Sequence, residues 1–509
     1  MALWHLLLNW ASTLLLLMLS LLFVAFLGFC AYIKYKHMKY DHIPGPPRDS
    51  FFFGHSPTFL KIMKGDGIVH EKFLEWSETY GPVYRINLLH YVLLGVSCPD
   101  ATKVNEILMS SKYTKDEFLA NRLFNLFGQR FLGSGLVTAR DHEQWYKQRR
   151  IMDPAFSSLY LRGLMGTFNE RAEKLMEKLS DEADNKGNVK MLPLVNCVTL
   201  DVIAKAAFGV DLDLLNTSSP FPKAIETCLK GLVYSVRDPF FQFNLKNRPF
   251  VKEVREACCL LRRTGAQWIH DRKTAIQNGD DVPKDILTQI IKTAGKGCSY
   301  ETLFMLDNFV TFFIAGQETT ANLIAFCIMS LGRHPDILER VKKEVDDVIG
   351  MKKDLSYDDL GKLMYLTQVL KETLRIYPTA PGTSRDIIKD MVINGIHIPE
   401  GCIAFFSSYA SGRMDKFFKD PLTFDPERFH PDAPKPYYCY YPFALGPRAC
   451  LGKNFAQMEA KVVMAKLLQR FDFTLIPGQT FDLVDTGTLR PKSGVLCMNT
   501  SNKKLTLKT

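Results

Sequence analysis

Between Ala11 and Ile33 the chain runs for 23 residues without a charged side chain, in a stretch dominated by Leu, Phe, Val and Ala. As a helix rising about 1.5 Å per residue it reaches roughly 35 Å, enough to cross a bilayer. A cleaved signal usually has an apolar region of about 7–15 residues and then a small-residue cleavage site. Here the run is longer and meets Lys34, Lys36 and Lys39 instead. Positive charge after the span keeps the bulk of the protein on the cytosolic side. The sequence therefore predicts a retained, single-pass anchor over residues 1–33. In Ile43-Pro44-Gly45-Pro46-Pro47-Arg48, closely spaced prolines forbid helix. Residues 34–49 read as a basic, proline-rich linker that sets how a globular domain sits against the membrane.

Residues 50–509 contain no internal repeat and no low-complexity tract, and their helical periodicity points to one large domain. Apolar positions recur at helical spacing over 168–182, 251–277, 300–331, 336–349 and 452–471. Strand-like stretches are short: 83–89, 91–96, 392–398 and 402–407. The predicted class is mainly α with a minor β-sheet. A net charge of +10 over 509 residues is too dilute for nucleic acid and suits a membrane surface or an acidic partner. Twelve scattered cysteines without a C-x-x-C pair fit a reducing compartment. The signatures H-E-x-x-H, G-x-S-x-G and G-x-x-x-x-G-K-[ST] are missing, and Gly133-Ser134-Gly135 lacks the third glycine of a dinucleotide fingerprint.

The run Phe443-Ala444-Leu445-Gly446-Pro447-Arg448-Ala449-Cys450-Leu451-Gly452 leads straight into the last long helix. A cysteine there is favoured as a thiolate by the helix N-terminus. Gly446 and Gly452 allow close backbone approach to a flat cofactor, and Arg448 could pair with a carboxylate on it. The spacing F-x-x-G-x-R-x-C-x-G resembles the haem-thiolate loop of the cytochrome P-450 family, whose axial thiolate is generally held to favour O–O cleavage.

Other parts of that pattern occur upstream in order. Ala315-Gly316-Gln317-Glu318-Thr319-Thr320 interrupts an apolar helix, where Thr319 can return a hydrogen bond to the carbonyl of Ala315. It is similar to the family's A-G-x-[ED]-T-[TS] segment, which implies that Glu318 and Thr319 deliver protons during oxygen activation. Glu372-Thr373-Leu374-Arg375, with Arg428 farther on, resembles the family's E-x-x-R pair and its third member, a structural support for the haem pocket. Trp145 and Arg149 match W-x-x-x-R, a haem-propionate contact, and Arg385 falls where another propionate arginine is often found.

The resemblance implies a monooxygenase with haem b bound through Cys450. It also implies NADPH electrons delivered by NADPH–cytochrome P-450 reductase, and a site in the endoplasmic reticulum membrane. A peroxide-rearranging member of the family and a non-catalytic haem sensor are the competing readings. Within the family, stretches such as 40–47 and 455–470 are similar to the cholesterol 24-hydroxylase subfamily, implying a sterol-like substrate. Gln317 replaces that subfamily's histidine, and 379–384 and 119–121 differ too. Leu123, Leu132, Val137, Ala315, Thr319 and Ala380 are candidate pocket residues. Phe240, Phe241, Phe243 and Phe250, near Arg237, Lys246 and Arg248, suggest a loop that dips into lipid. Lys147, Arg150, Lys453 and Lys461 are expected to meet an acidic reductase surface.

Overall fold

The structure is a computed structural model that describes residues 2–65, 67–97, 106–184, 188–238, 240–294, 299–436 and 438–501. The predicted apolar stripes all form helices: Met165–Asp184, Arg248–Asn278, Ser299–Arg333, Pro335–Val348 and Lys453–Arg470. Each lies within about one turn of its expected bounds at either end. The central helix, Ser299–Arg333, packs closely on Met191–Phe208, because Gly316 brings its backbone against Ile203. Both are apolar enough to cross a membrane, but most of their length is buried inside the protein. They are core helices, apolar on all sides because all sides are covered.

The main sheet has four strands, β1 (Val83–Leu88), β2 (Tyr91–Val96), β3 (Gly382–Asp386) and β4 (Ile403–Ser407), in the order β1-β2-β4-β3. The β2–β4 pair is parallel and the other two are antiparallel. The expected single strand 392–398 is instead a hairpin, Met391–Ile393 and Ile396–Ile398. Asn394 and Gly395 close it with φ of 51° and 77°, the positive values an Asn-Gly hairpin turn requires.

The N-terminal helix spans Ala2–Tyr40, with an apolar surface exposed through the first 29 residues apart from the undescribed side chains. It does not stop at Ile33 but continues through the lysines, and its last turns dock on the domain. Ile33, His37 and Tyr40 are buried. The Tyr40 hydroxyl donates to the carbonyl of Glu400 at 2.6 Å, and the Arg85 N–H of β1 donates to the carbonyl of Pro44 at 2.8 Å. The proline segment is thus clamped to the sheet, which fixes the direction in which the helix leaves the domain.

Candidate active site

The Cys450 loop is shaped by its own backbone. Ala444 and Gly446 take positive φ, 57° and 74°. A Cβ on Gly446 would lie 2.1 Å from the carbonyl oxygen of Leu108, so only glycine fits. The Ala449 N–H donates to Gly446 at 2.9 Å, and the Cys450 N–H donates back to Phe443 at 2.8 Å. This turn delivers the thiol, just ahead of the helix Lys453–Arg470, into an internal cavity of about 310 Å³. Phe443 and Gly452 also line it, and a Cβ on Gly452 would meet nothing, so the backbone there is open to a flat ligand. Burial pushes the Cys450 thiol up, while the Gly452 N–H, Arg149 and Lys453 pull it down. A coordinated metal would complete the ionisation, because a coordinating thiol is deprotonated outright.

One wall of the site is cationic and carries no carboxylate of its own among the described residues. Lys115, Arg149 and Arg448 line the cavity with Trp145. Arg448 lies over the Trp145 ring, 4.2 Å from its centroid, and donates to the carbonyl of Ala139 at 2.6 Å. Burial, with Arg385 nearby, lowers it to about 9. Lys115 donates to Thr383 Oγ1 at 3.0 Å and is lowered to about 7, first by burial and then by Arg385. Arg385 is fully buried on β3 and lowered to about 10 by burial. Its Nη1 reaches Thr383 and Ser384, while its Nε and Nη2 have no partner. Buried, unpartnered donors of one charge are costly unless an anion meets them. The two propionates of haem b would meet that need, and Cys450 would be its ligand. Arg149 also braces the thiolate loop: its Nη1 donates to the carbonyl of Ala449 at 2.8 Å and its Nε to Asp153 at 2.6 Å.

From the central helix, Ala315 and Thr319 face the cavity, and Thr319 Oγ1 donates to the carbonyl of Ala315 at 3.1 Å as its spacing predicts. Glu318 does not line the cavity with them. At 3.6 residues per turn, neighbouring side chains diverge by about 100°. The Glu318 carboxylate accepts from Thr488 at 3.1 Å and from Asn322 at 3.4 Å, outside the cavity lining. Burial raises its carboxyl above the ordinary range, against Arg490, Thr488 and Asn322. Gln317 also turns away, donating to Asn196 at 2.6 Å, so its departure from the subfamily's histidine lies at a helix contact.

Behind the loop, Glu372 and Arg375 form a bidentate pair at 2.8 and 2.7 Å, both side chains fully buried. Arg375 also donates to the carbonyls of Gly412, Pro421 and Thr423, and Glu372 accepts from the Asp425 N–H. Arg428 completes the triad as an ion pair 3.4 Å from Glu372.

Among the other pocket candidates, Val137 and Ala380 line the cavity. Leu132 is 6% exposed in the general core, and Leu123 packs on it from outside; neither lines the cavity. A Cβ on Gly133 would lie 2.3 Å from the Asp307 carboxylate, so this segment packs tightly on the central helix. Thr379, Gly382 and Thr383 of the 379–384 segment line the cavity with Ala380, whereas Lys115, Leu136 and Phe312 line it without being expected from the sequence. On the surface, Lys147, Arg150 and Lys453 are exposed. Lys461 is not available: it donates to the carbonyl of Leu360 at 2.8 Å, and burial lowers it to about 8. Phe240 and Phe243 are exposed, at 52% and 69%, together with Leu245. Phe241 and Phe250 are instead packed on Tyr234, with ring centroids 4.5 and 5.5 Å away.

A cysteine at a glycine-shaped turn, a cationic wall that carries no carboxylate and a threonine-bearing central helix fit a haem-thiolate pocket. The family model for cytochrome P-450 matches residues 44–499, and the chain belongs to that family. It is 30% identical to cytochrome P-450 3A7 of Homo sapiens, over 79% of this chain and 80% of the relative. It is also 30% identical to cytochrome P-450 4V2 of Rattus norvegicus, over 86% and 85% of the two chains. Cytochrome P-450 4d2 of Drosophila melanogaster is 28% identical over 84% and 88%. Haem b is the cofactor of the family, and the electrons of NADPH reach it through a reductase without NADPH binding directly.

Proposed function

We propose that this chain is a membrane-anchored sterol hydroxylase of the cholesterol 24-hydroxylase type, resident in the endoplasmic reticulum with its catalytic domain in the cytosol. The observation that carries the reading is the composition of one cavity. Its remaining wall is apolar (Leu136, Val137, Phe312, Ala315, Ala380) and shares the space with Cys450 and Thr319. An apolar cavity with few polar groups suits a sterol skeleton. Product analysis tests it: with reductase, NADPH and cholesterol the full chain yields a side-chain alcohol. A product formed only from a fatty acid or a xenobiotic would move the assignment to a paralogous substrate.

When bound, haem supplies oxygen activation, placing one oxygen atom in the substrate and releasing the other as water. The chain does the rest. Cys450 would supply electron density to the haem as thiolate. Lys115, Arg385 and Arg448 would hold the propionates, while Trp145 stacks on Arg448 and Arg149 keeps the loop in place. Glu372, Arg375 and Arg428 fix the segment behind it. Thr319 presents a hydroxyl to the reacting face, so its O–H can pass on a proton. Thr319→Val keeps shape and removes that hydroxyl; product per NADPH consumed should fall at least about tenfold, with peroxide released instead. Equal coupling in the variant would remove Thr319 from proton delivery.

The exposed Phe240, Phe243 and Leu245 support a second membrane contact beside the anchor; Phe53 packs edge-on against Phe240 at 6.1 Å. A chain truncated before Ile33 should still sediment with lipid vesicles, and Phe240→Ser with Phe243→Ser should release it. Full solubility of the truncated chain alone would contradict that contact. Lys147, Arg150 and Lys453 support docking of an acidic reductase. Lys453→Glu should slow reduction at low salt, with the difference shrinking as salt rises.

A further inference from the structure

The helices Phe221–Arg237 and Arg248–Asn278 form a hairpin whose connecting loop carries the exposed Phe240, Phe243 and Leu245. Where the helices cross, their backbones come close: a Cβ on Gly231 would lie 2.9 Å from both methyl carbons of Val254. Three residues before Gly231 and four after Val254, Cys228 and Cys258 face each other. Their Sγ atoms are 3.6 Å apart, and neither residue has any exposed surface. Both helices also pack on the central helix. The Phe221 ring lies 5.4 Å from that of Phe313, and a Cβ on Gly265 would lie 2.3 Å from Phe309. We propose that Cys228 and Cys258 are a redox-sensitive fastener, joined as a disulfide by hydrogen peroxide, that locks this helix hairpin onto the central helix.

The chemistry needs only the two thiols and the peroxide. One sulfur, as thiolate, takes an oxygen atom from peroxide and becomes a sulfenic acid, with the other peroxide oxygen leaving as water. The second sulfur then attacks the first, displacing its oxygen as a second water and forming the S–S bond. Two thiol hydrogens and two electrons leave the protein, and the peroxide is reduced to two waters. Because the backbones already meet at Gly231, bringing the sulfurs from 3.6 Å to bonding distance needs only a small adjustment. In the packed protein the pair is protected. The hydrogen bond with Cys258, together with burial, pushes the Cys228 thiol up, so little thiolate is present. Reaction therefore follows local opening of the hairpin, which peroxide is small enough to enter. Once formed, the bridge joins residues 30 positions apart and closes the loop between them, which removes open conformations of the hairpin. The next residue, Cys259, is exposed and pairs with no sulfur among the described residues, so it serves as an internal reference.

The test is made on the full chain in lipid vesicles and does not depend on its substrate. The protein is treated with graded hydrogen peroxide, alkylated, and mapped by peptide mass without reduction. The peptides carrying Cys228 and Cys258 should appear joined, about 2 Da lighter than their sum, and dithiothreitol should separate them. The bridge should form before the buried Cys327, Cys402 and Cys497 are oxidised. In the joined form, backbone hydrogen exchange over 225–232 and 254–261 should slow at least about tenfold. Cys228→Ala should give no joined peptide and no slowing with peroxide, whereas Cys259→Ala should behave as the natural chain does. The mapping of the natural chain decides the matter even where a variant folds poorly. Cys228 and Cys258 recovered only as separate alkylated or sulfinic forms would overturn the proposal. A bridge to Cys259 in place of Cys258 would do the same, and so would a bridged chain with unchanged hydrogen exchange.

Discussion

An Arg375→Ala variant should not accumulate as a folded haem protein. The guanidinium makes two bonds to Glu372 and three to the carbonyls of Gly412, Pro421 and Thr423, with no exposed surface on either side chain of the pair. Removing it leaves a buried carboxylate with the Asp425 N–H and the more distant Arg428 as its remaining partners. Breaking a buried pair on one side costs about 3–5 kcal/mol. That is a large share of the roughly 5–15 kcal/mol that holds a domain together. Arg375→Lys should rescue poorly, since an ammonium cannot fork across both carboxylate oxygens and three carbonyls. The double change Glu372→Leu with Arg375→Met removes the fully buried pair together, leaving only the partly exposed Arg428 without its carboxylate, and should recover more folded protein than Arg375→Ala. Yield, thermal unfolding and haem content measure all three, and a normally folded Arg375→Ala protein would contradict the supporting role.

Cys450→Ser should separate cofactor retention from chemistry. The cationic wall of Lys115, Arg149 and Arg448, with Arg385 buried behind it, does not depend on the sulfur, so part of the haem should remain bound. A serine hydroxyl does not supply the thiolate, so the thiolate absorption signature should vanish and NADPH-dependent oxygenation should drop to background. Adding Arg385→Met, which takes away the guanidinium with the unpartnered Nε and Nη2, should then lower haem retention further. Equal haem content in the single and double variants would argue against the propionate assignment.

Much of this site was legible because its parts are local. A glycine-rich turn before Cys450, Thr319 four residues after Ala315, and Glu372 three before Arg375 are each fixed by backbone geometry over a few residues. The long helices were legible for the same reason, since their apolar stripes cover several turns. What the sequence hid was long-range. Lys115 meets Thr383 across 268 residues, and nothing around it marks it as a cavity residue. β3 reads as Gly-Thr-Ser-Arg-Asp, too polar to look like a strand, yet pairing with β4 places Arg385 behind Thr383. Glu318 stands next to Thr319 in the motif, but its carboxylate accepts from a hairpin residue 170 positions away, which no local pattern shows. Lys461 looked like surface on charge alone and proved to be tied to a carbonyl. Leu123 and Leu132 are plausible pocket residues by position, but tertiary packing places Leu132 in the core and Leu123 against its outside.

The central claim, that Cys450 and this cavity carry out reductase-dependent oxygenation of a sterol, is tested most directly with isotopically labelled dioxygen. The full chain, in lipid vesicles with reductase, NADPH and cholesterol, should yield a side-chain alcohol carrying one labelled oxygen atom, with none formed when NADPH is omitted. Haem bound at Cys450 with no labelled product from any sterol would contradict it.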